Sequence, residues 1–594
     1  MIKAKSFLTK YAAAALVIAL TLPALIPLFH RGYFSMHDDQ QVVRLYELDR
    51  ALAAGQFPVR WVPDLGFGFG YPLYIFYPPL VYYVGEIYHL LLGTSFIDST
   101  KLVFMSAFIA AAIAMYIWTK EHFGKTGAII ASAFYTYAPY HAVDAYVRGA
   151  LAELTAFVWI PLIFWSADRL ILKRKKRHWM LLGVFLSLLM ITHNLIFLPF
   201  FPLFLLYTAF LILIAKDKLF TISHLLCAVL LALGLSAFFW IPALIERKFT
   251  LVDSILLADL ASYKLHFVYP TQLWNSLWGY GGSSAGLLDG LSFKIGKLHV
   301  VLTLFAPILW FIAYRQKPSR ETLQLAHYAS LLFLLFLLAT FMTIGASQPI
   351  WDIIKSLQYL QFPWRFLLFS AVFSSSLSGA VVSLILKHLK THLIKVVISV
   401  AVLGLLISPN LKLFRPQTYL DIKDNNILNK EFMQWTVSKT SFEFVPKEIK
   451  TVAQWNDVEK HDVTQIAIEK NQLPTAPFTI IAGSGEIKIE SNLPGILALQ
   501  TNSEKDLEIR LNIFDFPGWK VAIDGQGVSH SSENDLNLLS VKVPGGEHVV
   551  SAVFHETSVR KMGNIISLIT ILILALITVS GQKIFHRKDF ETAG

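Results

Sequence analysis

Two adjacent carboxylates, Asp38 and Asp39, follow the first long apolar segment, where a membrane helix meets water. His37 precedes them, and Arg44 follows about one helical turn later. A carboxylate in this place can act as general base on a hydroxyl, and an arginine can hold a phosphate through its planar fork. The structural alternative is that the two aspartates only begin a helix, whose N-terminal dipole favours acidic residues. The pattern indicates group transfer onto a hydroxyl and leaves that alternative open.

Further polar side chains are expected on the same side of the membrane as these carboxylates. They lie in the first loop, in two short turns and just before a later apolar segment, and they are Arg60, His141, Asp144, Arg148, His193, Asn194 and Arg365. Structural alternatives exist for these too. The spacing of His141, Asp144 and Arg148 suits one helical face. The pair His193 and Asn194 can satisfy the backbone of a tight turn. Their shared location indicates a site more strongly than any one of them does.

These residues need a scaffold, and the composition identifies it as a polytopic membrane protein. Of the 594 residues 55% are apolar and only 15% are charged, and the mean hydropathy is +0.55. The net charge of +11 comes from basic residues in short loops, which indicates membrane topology rather than nucleic-acid binding. The single cysteine, Cys227, excludes an intrachain disulfide and a thiolate metal cluster.

The apolar segments predict about twelve transmembrane helices with both termini in the cytoplasm. The predicted crossings are 11–29, 102–119, 126–140, 150–168, 179–192, 195–215, 219–240, 297–314, 324–345, 366–386, 391–408 and 562–580. Basic residues concentrate in alternate connections, such as 169–177, which places those connections inside. The alternation requires segment 72–93, rich in Pro and Tyr, to form an interfacial helix at the outer leaflet. A thirteenth crossing is the alternative.

Four large pieces are then expected outside: the loops 30–101, 241–296 and 346–365, and a β domain at 410–560. The last has apolar and polar residues alternating with period two in Leu507–Ile513, and a hairpin signature at Pro544–Glu547. We therefore expect a small antiparallel β-sandwich. The predicted organisation is a transmembrane domain at 1–409, the extracytoplasmic β domain at 410–560, and a final helix with a cytoplasmic tail at 561–594.

Several motifs along the chain resemble a known family of large bacterial and archaeal membrane proteins. No P-loop, dinucleotide fingerprint, HExxH or GxSxG motif is present. The motifs that carry the resemblance are Asp38-Asp39, Gly55–Pro63, Gly66–Pro72, Phe76–Leu80, His193-Asn194, Gln361–Phe366 and Phe516–Trp519. With them the chain is similar to the YfhO-type proteins, and most of all to the "6-pyruvoyl-tetrahydropterin synthase-related" membrane proteins. The pterin chemistry is not expected, because the histidine triad and nucleophilic cysteine of the soluble synthases have no counterpart here.

The resemblance implies a GT-C-like membrane glycosyltransferase. Such enzymes transfer a sugar from a polyprenyl-phosphate carrier at the outer face of the plasma membrane, and they carry a paired acidic motif in the first outer loop. The resemblance makes Asp38 or Asp39 the general base or, where a divalent cation such as magnesium or manganese takes part, its ligand. The expected partners are the lipid-linked sugar, the bilayer and a glycan, lipid or protein acceptor, with no nucleic acid.

From the residues alone, we expect Arg365 or Arg148 to bind the carrier phosphate. The aromatic segment from Tyr71 to Leu92 would hold the lipid, and the β domain would orient the acceptor or shield the site. The expected role is assembly of cell-envelope glycans or glycolipids. A transporter or flippase of lipid-linked saccharides, and a non-catalytic envelope scaffold, are the alternatives.

Overall fold

A computed structural model describes residues 2–257, 262–315, 320–456 and 461–591. Its helices of ten or more residues are α1 Ile2–Leu25, α2 Gln41–Ala53, α3 Leu80–Leu92, α4 Phe96–Thr136, α5 Leu151–Ile171, α6 His178–Thr192, α7 Asn194–Ile214, α8 Lys218–Leu235, α9 Ala237–Glu246, α10 Lys297–Arg315, α11 Arg320–Phe341, α12 Leu367–Lys387, α13 His392–Leu411 and α14 Ser558–Glu591. The predicted outer loop 241–296, the β domain and the C-terminal tail each include a few positions outside the described residues.

The predicted class, a helical polytopic membrane protein with a C-terminal β region, is confirmed. Within the described residues, nine helical segments are long and apolar enough to cross a membrane, and three shorter apolar helices accompany them. Every predicted crossing overlaps a described helix. Two of the predicted crossings, 102–119 and 126–140, fall in the single helix α4, which is broken at Gly124, where φ is +68°. The segment expected at the interface is α3, whose 13 residues fall short of the roughly 20 that a crossing needs.

The bundle is built around close contact between α4 and α12. A Cβ on Gly379 of α12 would collide with the carbonyl oxygen of Gly127 on α4. Small residues at such a contact let two helix backbones approach, which is how membrane helices gain packing energy. The two halves of α4 are also joined, since the Ser132 hydroxyl donates to the Ala112 carbonyl at 2.6 Å. These contacts make α4 and α12 a closely packed centre of the bundle.

A buried carboxylate, Asp168, ties helices together at the predicted inner end. It accepts hydrogen bonds from the Tyr207 hydroxyl at 2.5 Å, the Trp118 indole at 3.0 Å and the Tyr328 hydroxyl at 3.2 Å. The His122 ring lies 2.8 Å away and stacks on Tyr328. A buried charge needs such partners, and here they join α4, α5, α7 and α11.

The described residues contain twelve strands, of which β1 lies in the first loop and the other eleven lie in the predicted β domain. They are β1 Tyr33–Phe34, β2 Tyr419–Leu420, β3 Thr451–Asn456, β4 His461–Ile466, β5 Phe478–Ala482, β6 Glu486–Leu493, β7 Ile496–Ser503, β8 Leu507–Phe514, β9 Trp519–Ile523, β10 Gln526–Val528, β11 Leu538–Val543 and β12 Gly546–Phe554. A five-stranded sheet in the order β10-β9-β12-β7-β6 and a three-stranded sheet in the order β11-β8-β5 share one core. The period-two alternation that predicted strands therefore places the apolar side chains between the sheets.

The loop at 30–101, called the first outer loop after its predicted side, joins the bundle to the β region. β1 pairs with β2, and the Phe514 amide donates to the Phe69 carbonyl at 2.9 Å. Arg60 reaches the start of α14, with Nε 3.2 Å from Glu556 and Nη2 2.9 Å from the Asn564 side chain. Beside it, buried Arg560 is paired with buried Glu246 of α9 at 2.8 Å. The loop is thus bonded both to the β region and to the start of α14.

The predicted topology can be tested by labelling single cysteines in a Cys227→Ser background. His37 and Lys175 are both exposed, and they lie in the first outer loop and in the basic connection after α5. We expect His37→Cys to react with a membrane-impermeant maleimide on intact cells, and Lys175→Cys to react only after permeabilisation, because basic connections stay inside. Reaction of both from the same side would contradict the topology.

Candidate functional site

Asp38 is fixed by the backbone rather than by its own side chain. The amides of His37 and Asp38 donate to the carbonyls of Val147 at 3.1 Å and Arg148 at 2.7 Å. These two bonds attach the first outer loop to the turn between α4 and α5. They bring Asp38, which stays partly exposed, beside residues more than a hundred positions later in the chain.

A buried ion-pair cluster lies next to Asp38. The Arg148 guanidinium contacts Asp144 at 2.5 Å and Glu153 at 2.8 Å, and the Tyr140 hydroxyl donates to Glu153 at 2.6 Å. The guanidinium also lies 4.7 Å from the centre of the Trp364 ring. Asp144 and Glu153 are fully buried, and Arg148 is 6% exposed. Arg148 is therefore neutralised by its own neighbours.

Arg365 is the second buried cation, and it is less completely paired. It lies in the helical turn Pro363–Phe366 that leads into α12. Its Nη1 donates to the Leu360 carbonyl at 2.7 Å, and its Nε lies 3.4 Å from a Glu153 oxygen without forming a hydrogen bond. A guanidinium has five N–H donors, so Arg365 retains capacity for a further anion.

The two aspartates have different surroundings. The Asp38 charge acts on both Arg148 and Arg365. Burial disfavours the charged form of Arg148, but the charges of Glu153, Asp144 and Asp38 outweigh it and raise the pKa of Arg148 above its ordinary value. Asp39 instead lies near Arg44 and Tyr33. Burial, and next the charge of Asp38, raises the pKa of Asp39.

Of the other expected site residues, His193 is brought to the cluster. The charges of Glu153, Arg365 and Arg148 act on it, and burial lowers the pKa of His193 to about 3, so the ring is neutral at physiological pH. Its Nδ1 accepts the Ile196 amide at 3.1 Å and caps α7. The Asn194 side chain accepts the amide of the next residue at 2.9 Å. His193 thus caps α7 and also lies near the charged cluster. The described hydrogen bond of Asn194 goes only to the next residue in the chain.

The remaining expected residues make other contacts, away from the charged cluster. His37 bonds the Tyr280 carbonyl at 2.9 Å. His141 is buried between the rings of Phe108 and Phe157, and burial lowers the pKa of His141 to about 3.

Arg44 and Arg60 belong to structural contacts of the first loop. The Arg44 guanidinium lies over the Tyr77 ring at 4.0 Å and donates to Gln40 and to Ser441. Arg60 contacts Glu556 and Asn564 at the start of α14. Three residues outside the expected set, Tyr140, Glu153 and Trp364, complete the cluster. Glu153 stands five positions after Arg148, and that spacing was the available sequence signal.

The expected divalent cation stays a prediction. In the described ranges, no group of three or more His, Cys, Asp or Glu side chains is placed to hold a metal ion. Asp38 and Asp39 supply two carboxylates, and both have arginines as neighbours. The donor set falls short of the six oxygens that magnesium prefers, so no chemical step is assigned to a metal here.

The fold and site define a polytopic membrane protein with a buried, charged cluster under its first outer loop. Residues 74–415, more than half of the chain, match the family described as "6-pyruvoyl-tetrahydropterin synthase related domain; membrane protein". The chain belongs to this family, which confirms the resemblance found in the sequence.

Two kinds of relative are similar to parts of the chain. A protein of Lactococcus lactis subsp. cremoris strain MG1363, described as uncharacterized, is 23% identical over 333 residues, which are 54% of this chain and 52% of that protein. The Archaeoglobus fulgidus oligosaccharyltransferase in its apo form overlaps 69% of this chain and 56% of its own, with 13% identity and a TM-score of 0.41. Its complex with Zn and sulfate overlaps 68% and 52%, with 15% identity and a TM-score of 0.32. The chain thus spans about half the length of these relatives.

The raised pKa of Asp39 predicts a pH-dependent effect of Asp39→Asn on stability. A carboxyl whose pKa is higher in the folded protein destabilises the fold as pH rises above its unfolded value, and the cost is absent below that value. Asparagine cannot ionise. We expect the variant to melt at a higher temperature than wild type at about pH 7 and to match it near pH 3. Asp535→Asn, in an exposed pair, is the control. A less stable Asp39→Asn protein at neutral pH would contradict this account.

Proposed function

We propose that this protein is a membrane glycosyltransferase. It would transfer a sugar from a polyprenyl-phosphate carrier to an acceptor hydroxyl at the outer face, in cell-envelope glycan or glycolipid assembly. The observation that carries the proposal is the placement of partly exposed Asp38 beside Arg365, a buried cation that shares the carboxylate of Glu153 with Arg148. A base for the acceptor and a cation for the leaving phosphate are the two groups that this reaction needs.

The proposed step is a single displacement. The acceptor hydroxyl gives its proton to a carboxylate oxygen of Asp38, while its oxygen forms a bond to the anomeric carbon of the sugar. The bond between that carbon and the carrier phosphate breaks, and its electron pair stays on the phosphate, whose charge Arg365 balances. One displacement of this kind inverts the anomeric configuration.

Arg148 is assigned a positioning role in this proposal. Asp144 and Glu153 already neutralise it, and its carbonyl oxygen holds the Asp38 amide. Glu153 is close to both arginines and so sets their separation. Between the two expected phosphate ligands, Arg148 and Arg365, the contacts therefore favour Arg365.

The lipid carrier would meet the outer end of α3 rather than the aromatic residues before it. Tyr71, Tyr74 and Tyr82 are buried in the core of the first loop, and Tyr82 donates to Gln41 at 2.7 Å. The exposed apolar residues of α3 are instead Ile87, Leu90, Leu91 and Leu92. A short apolar helix with this surface suits the membrane interface.

The transporter alternative is less well supported. A transport path needs charged residues at mid-membrane depth that line a cavity. The buried Asp168 is instead hydrogen-bonded by aromatic side chains and lies near the inner end of α5. The other buried charge of α5, Glu153, belongs to the outer cluster.

The central test compares Asp38→Asn with Asp39→Asn in reconstituted protein. Radiolabelled polyprenyl-phosphate sugars and candidate acceptors would be supplied, and transfer would be measured. We expect Asp38→Asn to lower the rate about 10²–10⁴-fold, the usual contribution of a general base. Asp39→Asn is the matched control and should retain transfer. Equal activity of Asp38→Asn and wild type would exclude the proposed base, and lipid movement without transfer would favour the transporter.

Arg365→Lys separates donor binding from acceptor binding. Lysine keeps the charge but loses the planar fork that holds phosphate in two hydrogen bonds. We expect KM for the lipid-linked sugar to rise roughly ten-fold, as the loss of one charge-assisted hydrogen bond predicts, while KM for the acceptor is unchanged. A rise confined to the acceptor KM would contradict the assignment of Arg365 to the phosphate.

A further inference from the structure

A groove opens on the side of the bundle between α13 and the helices α1, α4 and α12. Its volume is about 1060 Å³, at the upper end of the roughly 300–1,000 Å³ of ligand pockets. Its walls are apolar and include Leu16, Leu20, Val400, Leu403 and Ile407. The groove exists because α13 stands away from the bundle, with Leu406 alone of its residues buried.

The mouth of the groove is positively charged. Lys125, Lys387, His392 and Lys395 line it, and the described lining includes no acidic residue. Three helices contribute, because α4 restarts after Gly124, α12 ends at Lys387 and α13 begins at His392. From Lys125 the second half of α4 runs toward the turn that holds Asp38, so the mouth lies at the opposite end of the bundle from Asp38.

We propose that this groove is a binding site for a two-chain anionic phospholipid of the inner leaflet. Protein interiors and their lipid contacts are close-packed, so hydrocarbon must fill an apolar space of this size within a bilayer. Basic clusters between transmembrane helices on the cytoplasmic side bind phosphate head groups. The acyl chains lie along the groove, and the phosphate meets Lys125, Lys387 and Lys395.

The position of the mouth distinguishes this lipid from the sugar carrier. The proposed carrier phosphate lies beside Arg365, at the outer start of α12, whereas Lys387 is at the opposite end of that helix. A lipid in the groove also supports α13, which has few protein neighbours of its own. Since α13 leads into β2, and β2 pairs with the strand before Asp38, the lipid supports the segment that holds the outer loop.

Binding can be measured by native mass spectrometry of the detergent-solubilised full chain, titrated with phosphatidylglycerol or phosphatidylcholine. We expect the triple variant Lys125→Gln, Lys387→Gln, Lys395→Gln to bind phosphatidylglycerol roughly ten- to a hundred-fold more weakly. The control removes three charges from an exposed connection predicted on the same side, through Lys173→Gln, Lys175→Gln and Lys176→Gln, and should bind as wild type. Equal binding of the two phospholipids, or equal loss in both triple variants, would overturn the proposal.

A second variant tests the groove itself while leaving every lysine in place. Gly404 lines the groove, and a Cβ there would meet no atom within 4 Å. Gly404→Phe should fold, with an unchanged melting temperature in detergent, and should weaken phosphatidylglycerol binding by occupying the acyl-chain space. Wild-type affinity in this variant would overturn the proposal. Displacement of phosphatidylglycerol by an equal amount of a long-chain polyprenyl phosphate would also overturn it and assign the groove to the carrier.

Discussion

The attachment of the first outer loop to the turn after α4 is the constraint on which the site depends. Two backbone hydrogen bonds make it, and the buried Arg148 cluster holds the turn in place. Removing one partner from a buried ion pair commonly costs about 3–5 kcal/mol, because an uncompensated charge remains. The charged cluster therefore fixes the conformation of the turn, and the turn fixes Asp38. Burying these charges costs desolvation free energy, and in return the ion pairs hold the turn in one conformation.

The sequence was sufficient to predict the helices and strands, because membrane crossings leave long apolar runs and half-buried strands leave an alternating pattern, and neither signal depends on distant residues. It also placed Asp38, Arg148, His193 and Arg365 on one face, and these residues do come together. It could not distinguish Arg148 and Arg365 from Arg44 and Arg60, which have the same guanidinium group and lie in the same loop as Asp38. One partner of Arg44 is Ser441 and one partner of Arg60 is Glu556, each hundreds of residues away, and no local sequence pattern predicts such contacts.

Asp38 and Asp39 are a second case in which the sequence alone could not tell similar residues apart. Neighbouring residues in an extended or turn segment point to different sides, so sequence could say that one of the pair faces the site but not which one. The choice comes from the amide of Asp38, which bonds the Arg148 carbonyl and aligns that residue with the cluster. Asp39 is then left toward Arg44, where burial favours its neutral form. The hydrogen bond from the Asp38 amide to the Arg148 carbonyl thus gives two chemically identical side chains different surroundings.

One buried charged residue at each end of the bundle, Asp168 and Arg365, differs in how it is paired. At the predicted inner end, Asp168 accepts hydrogen bonds from three aromatic side chains, as a structural buried charge requires. At the predicted outer end, the buried Arg365 Nε lies 3.4 Å from Glu153 but makes no hydrogen bond. An unpaired buried donor costs folding free energy, of order 1–3 kcal/mol. Arg44, Arg60 and Arg169 also have an unpaired buried guanidinium nitrogen, so this cost by itself does not identify a binding site. What distinguishes Arg365 is that the charges of Glu153, Arg148 and Asp38 all act on it, and the proposed phosphate role rests on that position.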